Sequence, residues 1–279
     1  MGLRPDRGLH QDQRGVHNVN ERISNAHGPV VIKIGGSTLG AEDTTMDDVV
    51  ALHRAGERVI VVHGGGAMIT DWLDKLQVPS EFVDGLRSTS AAALEVVVAV
   101  LRGVINTQLV AEIGERGGRA IGLSGVDGGV VRAERYDPRL GYVGRVTEVD
   151  GAFLLALCDA GAIPVIAPIG LEAPAQPLNI NADTVAGEVA RAVNSSRLVF
   201  LTDVDGLLDA DGTLIPQLDA TRAAELRAAG VIGGGMIPKI EACLRAAEVG
   251  TRAHVVNGRV GGTLRTVASG APLGTLIGA

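Results

Sequence analysis

Residues 30–36 constrain the fold of this chain more than any other stretch. Their sequence, VVIKIGG, is rich in β-branched residues, which favour a strand that is buried on both faces of a sheet. Lys33 interrupts the apolar run, and a buried lysine is costly unless an anion meets it. Gly35 and Gly36 let the backbone approach a bulky ligand closely. The stretch predicts half of a phosphate-binding site, with a snorkelling lysine before an ordinary turn as the alternative.

A second unit of the same construction follows at 58–66, where RVIVVHGGG places three glycines after a strand. Strand and helix patterns then alternate through the first half of the chain. This alternation is typical of a parallel sheet with helices on both faces. Aromatic residues make up only 2% of the chain. The core must therefore consist of Val, Ile, Leu and Ala, which suits helices packed on such a sheet.

Composition argues against several classes of function. The formal net charge is −7, and no basic stripe or set of stacking aromatics is visible, so we expect no nucleic-acid binding. Cys158 and Cys243 lie far apart and show neither zinc spacing nor a disulfide framework. No apolar run reads as long enough to cross a bilayer, and the polar N-terminus is no secretory signal. We expect a cytoplasmic protein of enzyme size.

Four glycine or polar stretches lie at the ends of predicted strands, at 35–36, 64–66, 179–183 and 203–206. A fifth stretch, at 233–239, adds a second lysine. Open α/β sheets bind ligands beyond the carboxyl ends of their strands. Glycine loops, two lysines and an aspartate are the groups that phosphoryl transfer requires. The chain lacks the G-x-x-x-x-G-K-[ST] loop and a good dinucleotide fingerprint, and no His and carboxylate spacing suggests a metal site.

Ten motifs of the chain occur in the order found in a known family. They are VVIKIGG, VVHGGG, GLRST, IGLSGVDG, LGYVGRV, IPVIAPIG, NINADTVAG, LTDVDGLLD, GGMIPK and LGTLIG. Through them the chain from Val30 onward resembles the amino acid kinase family, and within it the members that phosphorylate N-acetyl-L-glutamate. The resemblance implies a three-layer αβα sandwich with a mainly parallel open sheet. It also implies transfer of the ATP γ-phosphoryl group to the side-chain carboxylate of N-acetyl-L-glutamate, on the route to arginine.

The resemblance assigns roles to individual residues. Lys33 and Lys239 match the two transition-state lysines of the family, and Asp183 matches the carboxylate that holds them. The implied substrate-binding residues are Gly65, Gly66, Arg87 and Asn179, with Arg87 as the anchor of the α-carboxylate. The implied nucleotide-binding residues are Gly35, Gly36, Asp203, Val204, Gly206, Leu207, Leu208, Val231, Ile232 and Gly233. Mg²⁺ would arrive on the ATP phosphates.

Four of these assignments have structural alternatives. Arg87 could be a surface arginine in a turn, and Lys239 could be a solvated lysine in the first turn of a helix. Asn179 and Asp183 could be helix caps, because Asn and Asp are favoured there.

The chain is expected to divide into three parts. A flexible tail occupies 1–28, an N-terminal lobe for the acyl amino acid occupies 29–175, and a C-terminal lobe for ATP occupies 176–279. The long helical pattern near 90–115 has a broad apolar stripe, widened by Val96 and Val100. We expect this helix to pair with its copy in a twofold homodimer, as it does in the family.

Two other functions are weighed against this one. A related kinase for aminoadipate or glutamate on a carrier protein would need a basic rim, which is not visible near 81–90. A non-catalytic arginine-sensing module would not require both lysines and Asp183. Arginine-inhibited family members carry an effector-binding glutamate where 263–268 here reads TLRTVA. We therefore expect an enzyme that arginine does not inhibit.

Overall fold

The computed structural model describes residues 28–35, 44–83 and 86–278. Gly36 and the predicted tail, apart from Gly28, therefore lie outside the described residues. The strands are β1 (Val30–Ile34), β2 (Val59–His63), β3 (Phe82–Val83), β4 (Leu86–Arg87), β5 (Ala120–Ser124), β6 (Val131–Arg135), β7 (Gly144–Val149), β8 (Ile163–Ala167), β9 (Ile169–Glu172), β10 (Gln176–Asn179), β11 (Arg197–Thr202), β12 (Gln217–Leu218), β13 (Arg252–Asn257) and β14 (Thr275–Ile277). The helices are α1 (Thr45–Arg54), α2 (Gly66–Lys75), α3 (Ala91–Glu115), α4 (Gly151–Asp159), α5 (Ala182–Ala192), α6 (Ala220–Ala228), α7 (Met236–Ala247) and α8 (Thr263–Ala268).

Eight strands form a central sheet in the order β12-β14-β13-β11-β1-β2-β8-β5. Six of these strands are parallel to one another: β5, β8, β2, β1, β11 and β13. Strand β14 is antiparallel to β13, and β12 is parallel to β14. The predicted mainly parallel sheet is confirmed. In register, Ile34 of β1 lies beside Leu201 of β11 and His63 of β2. The loops that follow these three strands therefore leave the sheet at one edge.

Helices cover both faces of the central sheet, which confirms the three-layer αβα class. Successive side chains of a strand point to opposite faces, and Val31 and Ile32 accordingly belong to two different core clusters. Helices α4, α5, α6 and α7 pack on the face of Val31, and α1, α2, α3 and α8 pack on the other. By this alternation Lys33 faces α5 and α7. His63 lies two residues after Val61 and faces α3.

A second, four-stranded sheet has the order β10-β9-β6-β7. Strands β6 and β7 form an antiparallel hairpin, β9 pairs with β6, and β10 pairs with β9. The apolar run at 163–170 is divided between the two sheets, as β8 and the beginning of β9. The predicted lobe boundary near Ala175 falls in the turn between β9 and β10, and the division into lobes stays a prediction.

Helix α3 combines three stretches, with a π-helix over Ala99–Ile105 between α-helical ends. A π-helical turn holds more residues than an α-helical one, so the apolar stripe shifts around the axis and broadens. Val96 and Val100 are 7% and 0% exposed inside their own chain. These two valines therefore give no support to a dimer, which stays a prediction.

Helix α3 is also long and apolar enough to span a membrane by length and composition, so our expectation about apolar runs was wrong on that count. Of its most apolar window, 44% is buried inside the fold. A core helix of a globular protein meets the same criteria, and α3 packs against the central sheet as such a helix does.

Candidate active site

Lys33, Asp183 and Lys239 meet at the carboxyl edge of the central sheet. The Nζ atom of Lys33, on β1, lies 2.7 Å from Oδ1 of Asp183. The Nζ atom of Lys239, in the first turn of α7, donates to Oδ2 of the same carboxylate at 2.9 Å. The three side chains are only 9–11% exposed. Lys239 is therefore a buried, paired lysine, and the alternative of a solvated one is wrong.

Asn181, which sequence reasoning did not single out, sets the position of Asp183. Its side-chain oxygen accepts hydrogen bonds from the backbone amides of Asp183 and Thr184 at 2.8 and 3.2 Å. Asn181 is thus the N-cap of α5, and Asp183 and Asn179 are not caps. The preference for asparagine at this position was the signal that could have identified it.

The charges of the site leave an excess of one cation. Burial alone would raise the pKa of Asp183, but the Lys33 and Lys239 ammonium groups outweigh it and hold the pKa below its usual range. Burial lowers the pKa of Lys33; Asp183 opposes this shift and Lys239 adds to it. Because an uncompensated buried cation is costly, the site favours an anionic ligand.

Phe200 supports Lys239 from the neighbouring strand β11. Its ring centroid lies 4.9 Å from the Lys239 ammonium, within the range of a cation–π interaction. Lys33 and Phe200 are register partners in β1 and β11. Sequence reasoning missed Phe200, because a single apolar residue in a buried strand carries no sign of this contact.

Gly65 and Gly66 lie where β2 turns into α2. Helix α2 begins at Gly66, so the amides of its first turn have no acceptor within the helix and favour an anion. A Cβ atom on Gly65 would lie 2.5 Å from Ile105 Cδ1 and 2.7 Å from Leu101 Cδ2. A larger residue at this position would require Leu101 and Ile105 to shift, so glycine suits the close packing of the loop on α3.

Arg87 is held by neutral groups. Its guanidinium donates to Ser80 Oγ at 2.8 Å and to Thr70 Oγ1 at 2.6 Å, and it stacks on the Phe82 ring at 4.5 Å. Among the residues that the structure describes, no carboxylate forms an ion pair with it. The guanidinium is thus oriented, and its charge is available to a carboxylate ligand.

One cavity of about 230 Å³ unites most of the predicted catalytic and substrate-binding residues. Those that line it are Lys33, Gly65, Gly66, Arg87, Asn179 and Asp183. Asn179 ends β10 and donates to Thr89 Oγ1 at 3.0 Å. Since Arg87 lines this cavity and is half-buried, the alternative of a surface arginine is wrong.

The residues predicted for the nucleotide lie outside this cavity, in the loop after β11 and the loop before α7. They are Asp203, Val204, Gly206, Leu207, Leu208, Val231, Ile232 and Gly233. Leu207 and Ile232 are buried, while Val204 and Leu208 are 37% and 42% exposed. Gly35 directly follows β1, one strand away from β11. The two loops thus flank the strand of Lys33 and the helix of Lys239, and their contact with a nucleotide stays a prediction.

Lys33, Arg87 and a helix N-terminus line this cavity, and Lys239 adds its charge from behind Asp183; such a site suits the encounter of two anionic groups. On a three-layer αβα fold, these features define a phosphotransferase that acts on a small carboxylate acceptor. In the described parts of the chain, no group of three or more His, Cys, Asp or Glu side chains could hold a metal ion.

Comparison with known proteins identifies the family. The model of the amino acid kinase family matches residues 28–257, and the chain belongs to that family. The acetylglutamate kinase of Ruegeria sp. (strain TM1040) is 48% identical over 235 residues, which cover 83% of this chain and 82% of that protein.

Solved structures agree with the fold. The protein smu.665 of Streptococcus mutans UA159 has a TM-score of 0.78 and 29% identity, with 89% of this chain and 97% of that chain covered. The N-acetylglutamate synthase of Neisseria gonorrhoeae also has a TM-score of 0.78, at 24% identity over 90% of this chain and 59% of that chain. At that identity the second likeness concerns the fold alone.

Proposed function

We propose that this protein transfers the γ-phosphoryl group of ATP to the side-chain carboxylate of N-acetyl-L-glutamate, on the route to arginine. The observation that carries the proposal is the pairing of Lys33 and Lys239 with Asp183 at a cavity that also holds Arg87. Relatives named acetylglutamate kinase, 41–48% identical over most of the chain, give independent support.

The lysines counter the repulsion between the two reactants. A carboxylate that approaches the γ-phosphoryl group brings negative charge toward negative charge, and the transition state spreads it over the phosphoryl oxygens. An ammonium group about 4 Å from such an oxygen contributes roughly 4 kcal/mol before desolvation, at an effective dielectric constant of about 20. Asp183 fixes both ammonium groups before the reactants arrive, so little reorganisation accompanies the reaction.

The remaining cavity residues would hold the acceptor. Arg87 offers a planar fork of donors that suits the α-carboxylate of the acyl amino acid. Asn179 lines the same cavity and could contact the amide group. The amides at the start of α2 lie at the end of the cavity where an anion is favoured.

The nucleotide would occupy the loops after β11 and before α7, with Gly35 and Gly36 beside its phosphates. The excess positive charge of the lysine pair fits a polyphosphate. Mg²⁺ would be bound by the ATP phosphates, where it neutralises part of their charge. The cytoplasmic location, the two lobes and the homodimer are proposed on the same family resemblance.

A panel of acceptors tests the function. ADP formation is measured with ATP, Mg²⁺ and N-acetyl-L-glutamate, free L-glutamate, N-acetyl-L-aspartate or N-acetyl-L-aminoadipate. We expect the highest kcat/KM with N-acetyl-L-glutamate. Turnover confined to a carrier-linked acceptor would favour the related carrier-dependent kinase. Absence of turnover with every acceptor, together with arginine binding, would favour the sensing module.

A further inference from the structure

His63 is buried directly beneath the glycine loop, at 0% exposure. Its Nδ1 atom lies 3.0 Å from the carbonyl oxygen of Gly64, and its Nε2 atom lies 3.1 Å from Nδ2 of Asn106. Asn106 lies on α3 and is also 0% exposed. The imidazole therefore joins the loop that lines the cavity to the long helix behind it.

The partners of Asn106 determine which nitrogen of His63 carries the proton. Arg102 only donates, and its Nη1 atom lies 3.2 Å from Oδ1 of Asn106. The amide nitrogen of Asn106 therefore faces the imidazole, and it also donates to the carbonyl of Val165 at 2.8 Å. Nε2 of His63 must be an acceptor, so the proton lies on Nδ1 and is donated to Gly64.

The π-helical stretch of α3 lies beside this arrangement. Arg102 lies within the stretch Ala99–Ile105, and Asn106 follows it directly. From the same stretch, Leu101 and Ile105 pack so closely under Gly65 that an added Cβ would collide with both. Helix α3 thus holds the loop at two places, at Gly64 through Asn106 and the imidazole, and at Gly65 through Leu101 and Ile105.

The hydrogen bond between His63 and the Gly64 carbonyl also determines the direction of the Gly65 N–H. The Gly64–Gly65 peptide is trans, so its carbonyl and the N–H of Gly65 point in opposite directions. The carbonyl points toward the buried imidazole, which turns the Gly65 N–H away from it. Gly64 and Gly65 both line the cavity that Lys33 and Asp183 share.

We propose that His63 is a positioning residue, which holds the Gly64–Gly65 peptide so that the Gly65 amide points at the transferring phosphoryl group. This inference rests on the proposed phosphotransferase function. Protonation of the ring would add a donor at Nε2 against the donating amide of Asn106. Burial, with a smaller effect from the charges of Arg102 and Lys33, lowers the pKa of His63 to about 4, although the bond to Gly64 opposes this shift. The neutral tautomer is thus the form that holds the loop.

Two amide substitutions separate the two bonds of the ring. In His63→Asn the side-chain nitrogen can occupy the place of Nδ1, which keeps the bond to Gly64 and loses the one to Asn106. In His63→Gln the side-chain oxygen can reach the place of Nε2, which keeps the bond to Asn106 and loses the one to Gly64. Each variant therefore keeps one hydrogen bond, and only His63→Gln releases the peptide.

The assay measures kcat and KM for ATP and N-acetyl-L-glutamate, with the urea midpoint of each variant as a check of folding. We expect kcat to fall about 10²-fold in His63→Gln with little change in either KM, as for the loss of one preorganised donor. In His63→Asn it should fall less than about tenfold. Equal losses in both variants, or an unchanged kcat in His63→Gln, would overturn the proposal. An inactive wild-type protein would instead refute the proposed function.

Arg102→Met provides a second test if His63→Gln does not fold. Arg102 is half-buried, and methionine keeps the apolar part of its side chain while removing the donor that orients Asn106. We expect kcat to fall about two- to tenfold, which corresponds to one hydrogen bond of ordinary strength. A kcat equal to that of the wild type would contradict the proposed chain of contacts.

Discussion

Replacing Asp183 with asparagine removes the carboxylate on which both buried lysines converge, and the shape of the side chain is retained. At the observed 2.7 and 2.9 Å, each ion pair corresponds to about 6 kcal/mol of attraction before desolvation, at an effective dielectric constant of about 20. Much of this attraction offsets the cost of burying the charges. Removal of one partner from a buried ion pair lowers the free energy of unfolding by roughly 3–5 kcal/mol, because the remaining charge stays buried and uncompensated.

The assay is urea unfolding at pH 7, followed by far-ultraviolet circular dichroism. We expect Asp183→Asn to lower the free energy of unfolding by about 3–5 kcal/mol. Glu225→Gln is the matched control, because Glu225 accepts from Arg222 at 2.9 Å with both side chains more than half exposed. That variant should lose less than about 1 kcal/mol. A loss of similar size in both variants would refute the ionised, doubly paired state of Asp183.

Three further predictions concern turnover, selectivity and pH. Lys33→Ala and Lys239→Ala should each lower kcat by about 10²-fold or more, with a much smaller change in substrate affinity. Steady-state kinetics measures both quantities, and a near-normal kcat in either variant would contradict the mechanism. Arg87→Lys should raise KM for N-acetyl-L-glutamate about tenfold or more while KM for ATP changes little, since the planar fork is lost; equal changes for both would indicate a folding defect. Burial lowers the pKa of both His63 and His254 to about 4, so the unfolded chain binds more protons than the folded one between pH 4 and 6.5. The free energy of unfolding should therefore fall as the pH drops through this window, by about 2 kcal/mol per histidine at pH 5, and urea midpoints that do not change between pH 7 and pH 5 would argue against two neutral buried imidazoles.

Local patterns were sufficient to predict the central sheet and most of its helices. The apolar runs of β1, β2 and β11 are buried on both faces, and glycines directly follow β1 and β2 as expected. The second sheet was missed, because the pairing of β9 with β6 depends on tertiary contacts that no local pattern records. The π-helical stretch of α3 was not predicted either, because the apolar stripe of this helix was compared with the period of an α-helix alone.

Only some of the active-site residues could be predicted from the sequence. Lys33, Asp183 and Lys239 were identified through family motifs; their sequence separation alone gives no reason to expect contact. The structure explains the contact, since β1 is central in the sheet and α5 and α7 pack on the face of Lys33. Supporting residues such as Phe200 and Asn106 could not be predicted, because their roles depend on distances across separate elements.

Trapping of the acyl phosphate tests the central claim most directly. The protein is incubated with ATP, Mg²⁺, N-acetyl-L-glutamate and hydroxylamine, which converts an acyl phosphate into a stable hydroxamate. We predict that hydroxamate forms in equal amount to ADP, and that Lys33→Ala lowers both together. ADP formation without hydroxamate would mean that the carboxylate is not the acceptor, and would contradict the proposed function.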